Sequence, residues 1–246
     1  MNVCENIDGD IVDCSNKELV KLTEDWLNVV YVEDLYIDDN YLTDISNLIN
    51  LTQVDYVFQL QNNRLSNLHG LENLVKVYMI FDISHNILTN ISALSNLTYV
   101  DILKMNYNSL TSLQGLENLK HICWMDVSHN SLTDISALSN FNFSQYYCDA
   151  DEAHIYLNSN NLVNLNGLEN LFSNMDNTVS WVFVYLHNNP NLTDISALSY
   201  INGNSPYVYI DEREYDTKIS NDSYLCQHFD EIIRTWDPSH KSWICE

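Results

Sequence analysis

FDISHNILTNISALSNLT, residues 81–98, decides the fold. Its centre is Asn86, with Phe81 and Ile83 five and three residues before it and regularly spaced Leu and Ile after it. The pattern occurs seven times. It begins at Asn40 (NYLTDISNLINLT), Asn63 (NRLSNLHGLENLV), Asn86, Asn108 (NSLTSLQGLENLK), Asn130 (NSLTDISALSNFN), Asn160 (NNLVNLNGLENLF) and Asn189 (NPNLTDISALSYI), at spacings of 23, 23, 22, 22, 30 and 29 residues. The apolar pairs before each Asn are Leu35/Ile37, Phe58/Leu60, Phe81/Ile83, Leu103/Met105, Met125/Val127, Ile155/Leu157 and Val184/Leu186. Alternation of this kind predicts a short strand. One repeat cannot bury its own apolar face, so neighbours must stack and share a core. Each strand then pairs with the next at about 4.8 Å in one long parallel sheet.

The recurring Asn sits where the chain leaves the strand. Turned inward, its amide can satisfy backbone groups that the bend leaves unpaired, which makes Asn40, Asn63, Asn86, Asn108, Asn130, Asn160 and Asn189 a predicted structural ladder. Leu42, Ile45, Leu48 and Leu51 and their equivalents fill the core from the opposite wall, in segments short enough for 3₁₀ turns. The repeats alternate between a DISALSNL form and an NLxGLENL form, consistent with duplication of a two-repeat unit. Two repeats are longer, and their extra residues at 141–153 and 172–181 are expected to bulge from the convex or edge side.

These motifs resemble the leucine-rich-repeat superfamily over about 170 of the 246 residues, and among its members most resemble the short internalin-type and phosphatase-regulator-type repeats. The resemblance implies an α/β solenoid: a curved right-handed coil with a parallel sheet on the concave face and a 3₁₀-rich or irregular convex wall. It also implies protein recognition or structural assembly. Residues 12–19 (VDCSNKEL) are similar to the cysteine-bearing N-terminal flank of extracellular members, and SYLCQHFDEIIRTW followed by Cys245 looks like a small helical C-terminal cap. The expected organisation is an N-terminal cap at 1–30, repeats over 31–205 and a C-terminal cap at 206–246, in one continuous domain. Five Gly and three Pro in the whole chain leave no linker.

The charge narrows the partners. With 10 Lys+Arg against 34 Asp+Glu the formal net charge is −24, and no Lys or Arg lies between His121 and Glu212. Such a chain repels phosphate backbones and anionic membranes. No apolar run reaches the length of a membrane span, and the N-terminus MNVCENIDGD is too polar for a signal peptide, so any signal is expected to have been removed. Cys4 and Cys14 precede the repeats, Cys226 and Cys245 follow them, and Cys123 and Cys148 lie inside. Six cysteines allow 15 pairings. Their placement suggests closed caps in an oxidising compartment, and a Cys123–Cys148 bond would pin the first insertion, with reduced cytosolic thiols as the alternative. Sequons stand at Asn50, Asn90, Asn96, Asn142, Asn191 and Asn221, so attached N-glycans are expected on a secreted or extracellular protein.

The outward strand positions give a candidate binding face. It carries Tyr36, Asp38, Gln59, Gln61, Asp82 and His85 in the first three repeats. Lys104, Tyr107, Asp126, His129, Tyr156, Tyr185 and His187 continue it. Seven strands span roughly 30 Å, enough for a standard interface, and tyrosine combines contact area with a polar tip. The expected ligand is a protein or a glycan. Metal binding is not expected: His85 and His129 lie two strands apart, too far for one zinc, no CxxC is present, and Asp149, Asp151 and Glu152 read as a solvated loop before they read as a calcium site. No cofactor is expected, and no nucleophile elbow, P-loop or HExxH element suggests catalysis. The function expected is non-enzymatic recognition, with self-assembly into a filament or matrix, or a cytosolic regulatory scaffold, as alternatives.

Overall fold

The computed structural model describes residues 4–7, 11–141, 152–169, 181–194, 196–197 and 206–209. Most of both expected insertions, Cys148, Cys226, Cys245, Asn142, Asn221, Asp149, Asp151 and the expected helical cap lie outside these residues.

Among the described residues the apolar alternation produces one twelve-stranded sheet. A hairpin of β1 (Glu5–Ile7) and β2 (Ile11–Asp13) opens it, the two strands pairing antiparallel. From β2 the order runs in parallel through β4 (Asp34–Tyr36), β6 (Val57–Gln59), β7 (Lys76–Asp82), β8 (Tyr99–Lys104), β9 (Trp124–Asp126), β10 (Glu152–Tyr156), β11 (Trp181–Tyr185) and β12 (Pro206–Tyr209). Two short strands, β3 (Tyr31–Val32) and β5 (Gln53–Val54), pair with each other, and β5 also pairs with the first residues of β7, forming a second ladder beside the first. The register keeps equivalent residues side by side: Tyr36 beside Gln59, Gln59 beside Asp82, Asp82 beside Lys104, and so on to Tyr185 beside Tyr209.

Inward residues of the strands and the leucines of the opposite wall form a single core. Every residue of the seven apolar pairs is buried, and Phe58 and Phe81 stack with ring centroids 4.9 Å apart, an aromatic pair contributing about 1 kcal/mol beyond its buried area. The DIS-form repeats turn through 3₁₀ helices at Ser46–Leu48, Ser92–Asn96 and Ser136–Asn140. An Asx bond starts each: the Ser46, Ser92 and Ser136 N–H groups donate to the side-chain oxygens of Asp44, Asn90 and Asp134 at 2.7–2.8 Å. The Ser136 side-chain hydroxyl, and then this backbone bond, hold the Asp134 carboxyl below its usual range.

Alternation between the two repeat forms has a packing cause. Gly70, Gly115 and Gly167 of the GLENL form have φ of +111°, +115° and +113°, and each lies directly on the Ile carbonyl of the preceding DIS repeat. A Cβ on Gly115 would sit 2.4 Å from the Ile91 oxygen, so the two forms interlock as a pair. Glu completes the motif: the Gly70, Gly115 and Gly167 N–H groups donate to Glu72, Glu117 and Glu169 two residues on.

Each ladder Asn ties two repeats together. Asn63 accepts from the Leu42 N–H of the preceding repeat at 3.0 Å and donates to Ile37 O there, and to Leu60 O in its own, at 2.9 and 3.1 Å. Asn86, Asn130 and Asn160 repeat the set. Asn40, Asn108 and Asn189 do likewise. The bend therefore leaves few backbone groups unpaired in the interior.

Candidate recognition face

Strand alternation places four rows of side chains on the open face of the sheet. The first contains Asp34, Val57, Ile80, Ile102, Trp124, His154 and Phe183, and the second Tyr36, Gln59, Asp82, Lys104, Asp126, Tyr156 and Tyr185. The third is Asp38, Gln61, Ser84, Asn106, Ser128, Asn158 and His187. The fourth is the residue before each ladder Asn, from Asp39 to Asn188, and every member has φ between +52° and +57°. That left-handed backbone suits Asn and Asp; it is uncommon for bulky side chains. Three successive repeats nonetheless carry His85, Tyr107 and His129 there, at +52°, +54° and +52°.

Those three rings stack, His85 on Tyr107 at 4.5 Å and Tyr107 on His129 at 4.3 Å between centroids. A second stack runs Trp124, His154, Phe183 at 4.8 and 4.6 Å, and a third joins Tyr156 to Tyr185 at 4.2 Å with planes 2° apart. These spacings are those of adjacent strands, so the rings pack along the sheet as cross-strand pairs. Burial, and then the neighbouring Tyr185 hydroxyl, push the Tyr156 phenol above its ordinary range. Ring faces are thus turned toward one another, which leaves ring edges as the outward surface at the exposed His85, Tyr107 and His129, whereas Nδ1 of His154 and of His187 is buried.

The residues expected to bind separate into two zones. Tyr36, Asp38, Gln59, Gln61 and Asp82 lie on the first strands, where carboxylates dominate. Tyr107, His129, Tyr156, Tyr185 and His187 lie in or beside the ring stacks, together with Asp126. Lys104 stands between the zones, 3.9 Å from Asp82. Several side chains of the four rows are less open than an outward position implies: Asp38 and Asp82 of the expected residues, and Ser84, Ser128 and Asn158 beside them, expose 9 % or less. The cause is local hydrogen bonding and crowding across strands; Asp82 and Asp126 each accept from the hydroxyl of Ser84 or Ser128 at 2.6 Å. Trp124, His154 and Phe183 form part of the face without having been expected there. Their signal was the same alternation carried one step further toward the start of each strand.

Beside this face, on the second ladder, Tyr99 stacks on His121 and meets Tyr78 at a tilt of 51°, and His121 Nε2 lies 2.6 Å from Asp101 Oδ1 and 3.7 Å from Cys123 Sγ. Asp101, His121 and Cys123 present ligand atoms within 4.8 Å of one another, a grouping the sequence reading did not single out. Cys123 is disulfide-bonded, so its sulfur is not the thiolate that zinc binds. Cys4 and Cys14 are bonded to each other. Of the sequons, Asn50 and Asn96 donate their side-chain N–H to Leu27 O and Glu72 O of the preceding repeat at 2.8 and 2.7 Å. Asn90 instead uses its side-chain oxygen to cap the next turn. All three, with Asn191, are exposed. Among the described residues no helix is long and apolar enough to cross a membrane.

No protein-family model matches the sequence, and no curated protein matches it. Among solved structures, internalin C2 of Listeria monocytogenes str. 4b F2365 superposes with a TM-score of 0.59 at 20 % identity, over 82 % of this chain and 80 % of that one. A second internalin from the same strain, inlF, gives 0.31 at 19 % identity over 78 % of each chain. The functional domain of InlJ from Listeria monocytogenes, described as including a cysteine ladder, gives 0.27 at 16 % identity over 82 % and 69 %. Only the first likeness is close enough to bear on the fold.

Proposed function

We propose that this leucine-rich-repeat solenoid is a non-enzymatic recognition protein that binds a protein partner through the open face of its sheet, in an oxidising, extracellular setting. The stacked rings carry the proposal. Tyr107 keeps a costly left-handed backbone and leaves 47 % of its surface exposed, in register with two exposed histidines. Bulky residues held in sparsely populated conformations are found where function requires them. The orientation of the rings favours protein over glycan. A sugar stacks on a ring face, and here the faces are occupied by neighbouring rings, while the exposed edges suit the hydrogen-bonding and apolar contacts of a protein surface. The Cys4–Cys14 bond and the bonded state of Cys123 support an oxidising compartment. In such a setting the exposed sequons, Asn90 and Asn191 foremost because their amide nitrogens make no bridge to another described repeat, are suited to carry N-glycans.

The test is an affinity series against the partner. Replacing Tyr107, Tyr156 and Tyr185 together by Ala is expected to weaken binding by about 100-fold or more, since centrally placed tyrosines commonly contribute upwards of 1 kcal/mol each. A triple change on the 3₁₀ wall, Asn47→Ala, Ser95→Ala and Ser139→Ala, should alter it by less than about threefold. Equal loss from both variants would overturn the assignment of the face.

A further inference from the structure

The acidic end of the face holds a buried carboxylate with one oxygen that the fold leaves unpaired. Asp38 is 8 % exposed, and its Oδ1 atom has no hydrogen-bond partner; on the adjacent strand the Gln61 Oε1 atom is also buried and unpartnered. An oxygen in this condition costs about 1–3 kcal/mol, and most buried polar groups in proteins are paired. The two residues occupy the same row on neighbouring strands, so their backbones lie about 4.8 Å apart. Around them stand Asp13 and Asp39, and Asp34 next to Tyr36. Asp13 is already engaged with Ser15, and Asp39 accepts from Asn62. Burial, with repulsion from Asp39 and Asp13, pushes the Asp38 carboxyl up to about 6. A folded-state value above the ordinary 3.8 means that stability falls as pH rises between the two. At neutral pH Asp38 is therefore a destabilising residue, the condition expected of a group retained for binding.

We infer that Asp38 and Gln61 form the acceptor pair of a subsite for an arginine side chain presented by the protein partner. The inference rests on the recognition face proposed above and names the chemistry of its acidic end. Both orphan atoms are acceptors, so the missing group is a donor, and the surrounding carboxylates favour a cation; neither atom is open to solvent in the free chain, so its entry requires the part-exposed Gln61 side chain to turn aside. A guanidinium carries five N–H donors in a planar fork that can address acceptors on two strands at once. A calcium ion fits less well. It needs several oxygens converging on one point, and among the described residues the sole group of three acidic, histidine or cysteine ligand atoms within 4.8 Å of one another is Asp101, His121 and Cys123. The apolar and aromatic strands further along would then take the partner's uncharged surface, giving the face a polarity that fixes the partner's orientation.

The probe is Nα-acetyl-arginine amide, titrated into the ¹⁵N-labelled full chain at pH 7.5 and physiological salt, with the uncharged Nα-acetyl-citrulline amide as its isostere. Saturable shifts confined to residues 36–39 and 59–62, with Kd on the order of 1 mM and absent with citrulline, are expected. Asp38→Asn should weaken the effect at least about tenfold while raising Tm at pH 7.5, so loss of binding cannot be ascribed to unfolding. Gln61→Leu should weaken it less, and Asp25→Asn, in the 3₁₀ helix Glu24–Asn28 that packs on the Ser46–Leu48 turn of the opposite wall, should leave it unchanged. Shifts that persist in Asp38→Asn, that citrulline reproduces, that spread evenly over acidic residues, or that never saturate overturn the inference. If the tyrosine series still abolishes partner binding in that event, the recognition face stands and only the arginine subsite falls.

Discussion

Asn86→Leu is expected to lower the stability of the solenoid by about 4 kcal/mol and Tm by roughly 10 °C, although Leu is nearly isosteric and more apolar. The Asn86 side chain accepts from Leu65 N–H at 3.0 Å and donates to Leu60 O, Ile83 O and Ser84 O at 3.0–3.3 Å. Leucine would fill the space and leave the buried Leu65 N–H without a partner, while the Leu60, Ile83 and Ser84 carbonyls keep only their bonds from Asn63, Asn108 and the Asn62 N–H. Leaving such groups unmade costs more than the bonds themselves stabilise. The contrast is Asn96→Leu, at an exposed position whose one bond runs to Glu72 O; about 1 kcal/mol or less is expected. Equilibrium urea unfolding of both variants checks the difference. Similar costs at positions 86 and 96 would mean that the ladder is not what joins the repeats.

Gly115→Ala should be nearly as damaging, at about 3 kcal/mol, for a change of one methyl group. The backbone at φ +115° lies outside the range alanine adopts with ease, and the new Cβ would meet the Ile91 carbonyl carbon and oxygen at 2.9 and 2.4 Å. These are main-chain atoms, so no side-chain rotation relieves the clash, and the repeat must lift away from its neighbour. Because a solenoid is stabilised by nearest-neighbour interfaces, the break should uncouple the two halves. A second transition, or a lowered m-value, is expected in the urea curve. A single unshifted transition would show that the glycine is a relic of duplication without a packing role.

Most of the architecture was legible because it is written at two short periods. Alternation around pairs such as Phe81 and Ile83 gave the strands, and the 22- and 23-residue spacing gave their order. The alternation of repeat forms was equally plain, yet its cause was not: nothing in GLENL reveals that Gly115 packs on Ile91 until the φ angle and the contact are known. The face was legible in part. Anchoring on the ladder Asn and stepping back to the apolar pair captured Tyr107, Tyr156 and Tyr185 but stopped short of Trp124, His154 and Phe183, one alternation earlier. Tyr99 and His121, like Asp101 and Cys123, stand 22 residues apart, so that cluster too obeys the period, but it lies outside the apolar consensus that made the period visible. The orphan oxygen of Asp38 has no sequence signature, because burial of an outward residue depends on what its neighbours across the strands leave uncovered.

The central claim is that the ring-bearing sheet face, and not the 3₁₀ wall, meets the partner. Site-specific photo-crosslinking tests it most directly, with Tyr107→benzoylphenylalanine on the face and Ser95→benzoylphenylalanine on the wall, each expressed in the native host. Crosslinking from position 107 to one discrete protein, competed by unlabelled wild-type chain and absent from position 95, is the predicted result. The same competed product from position 95 with none from position 107 would contradict the account.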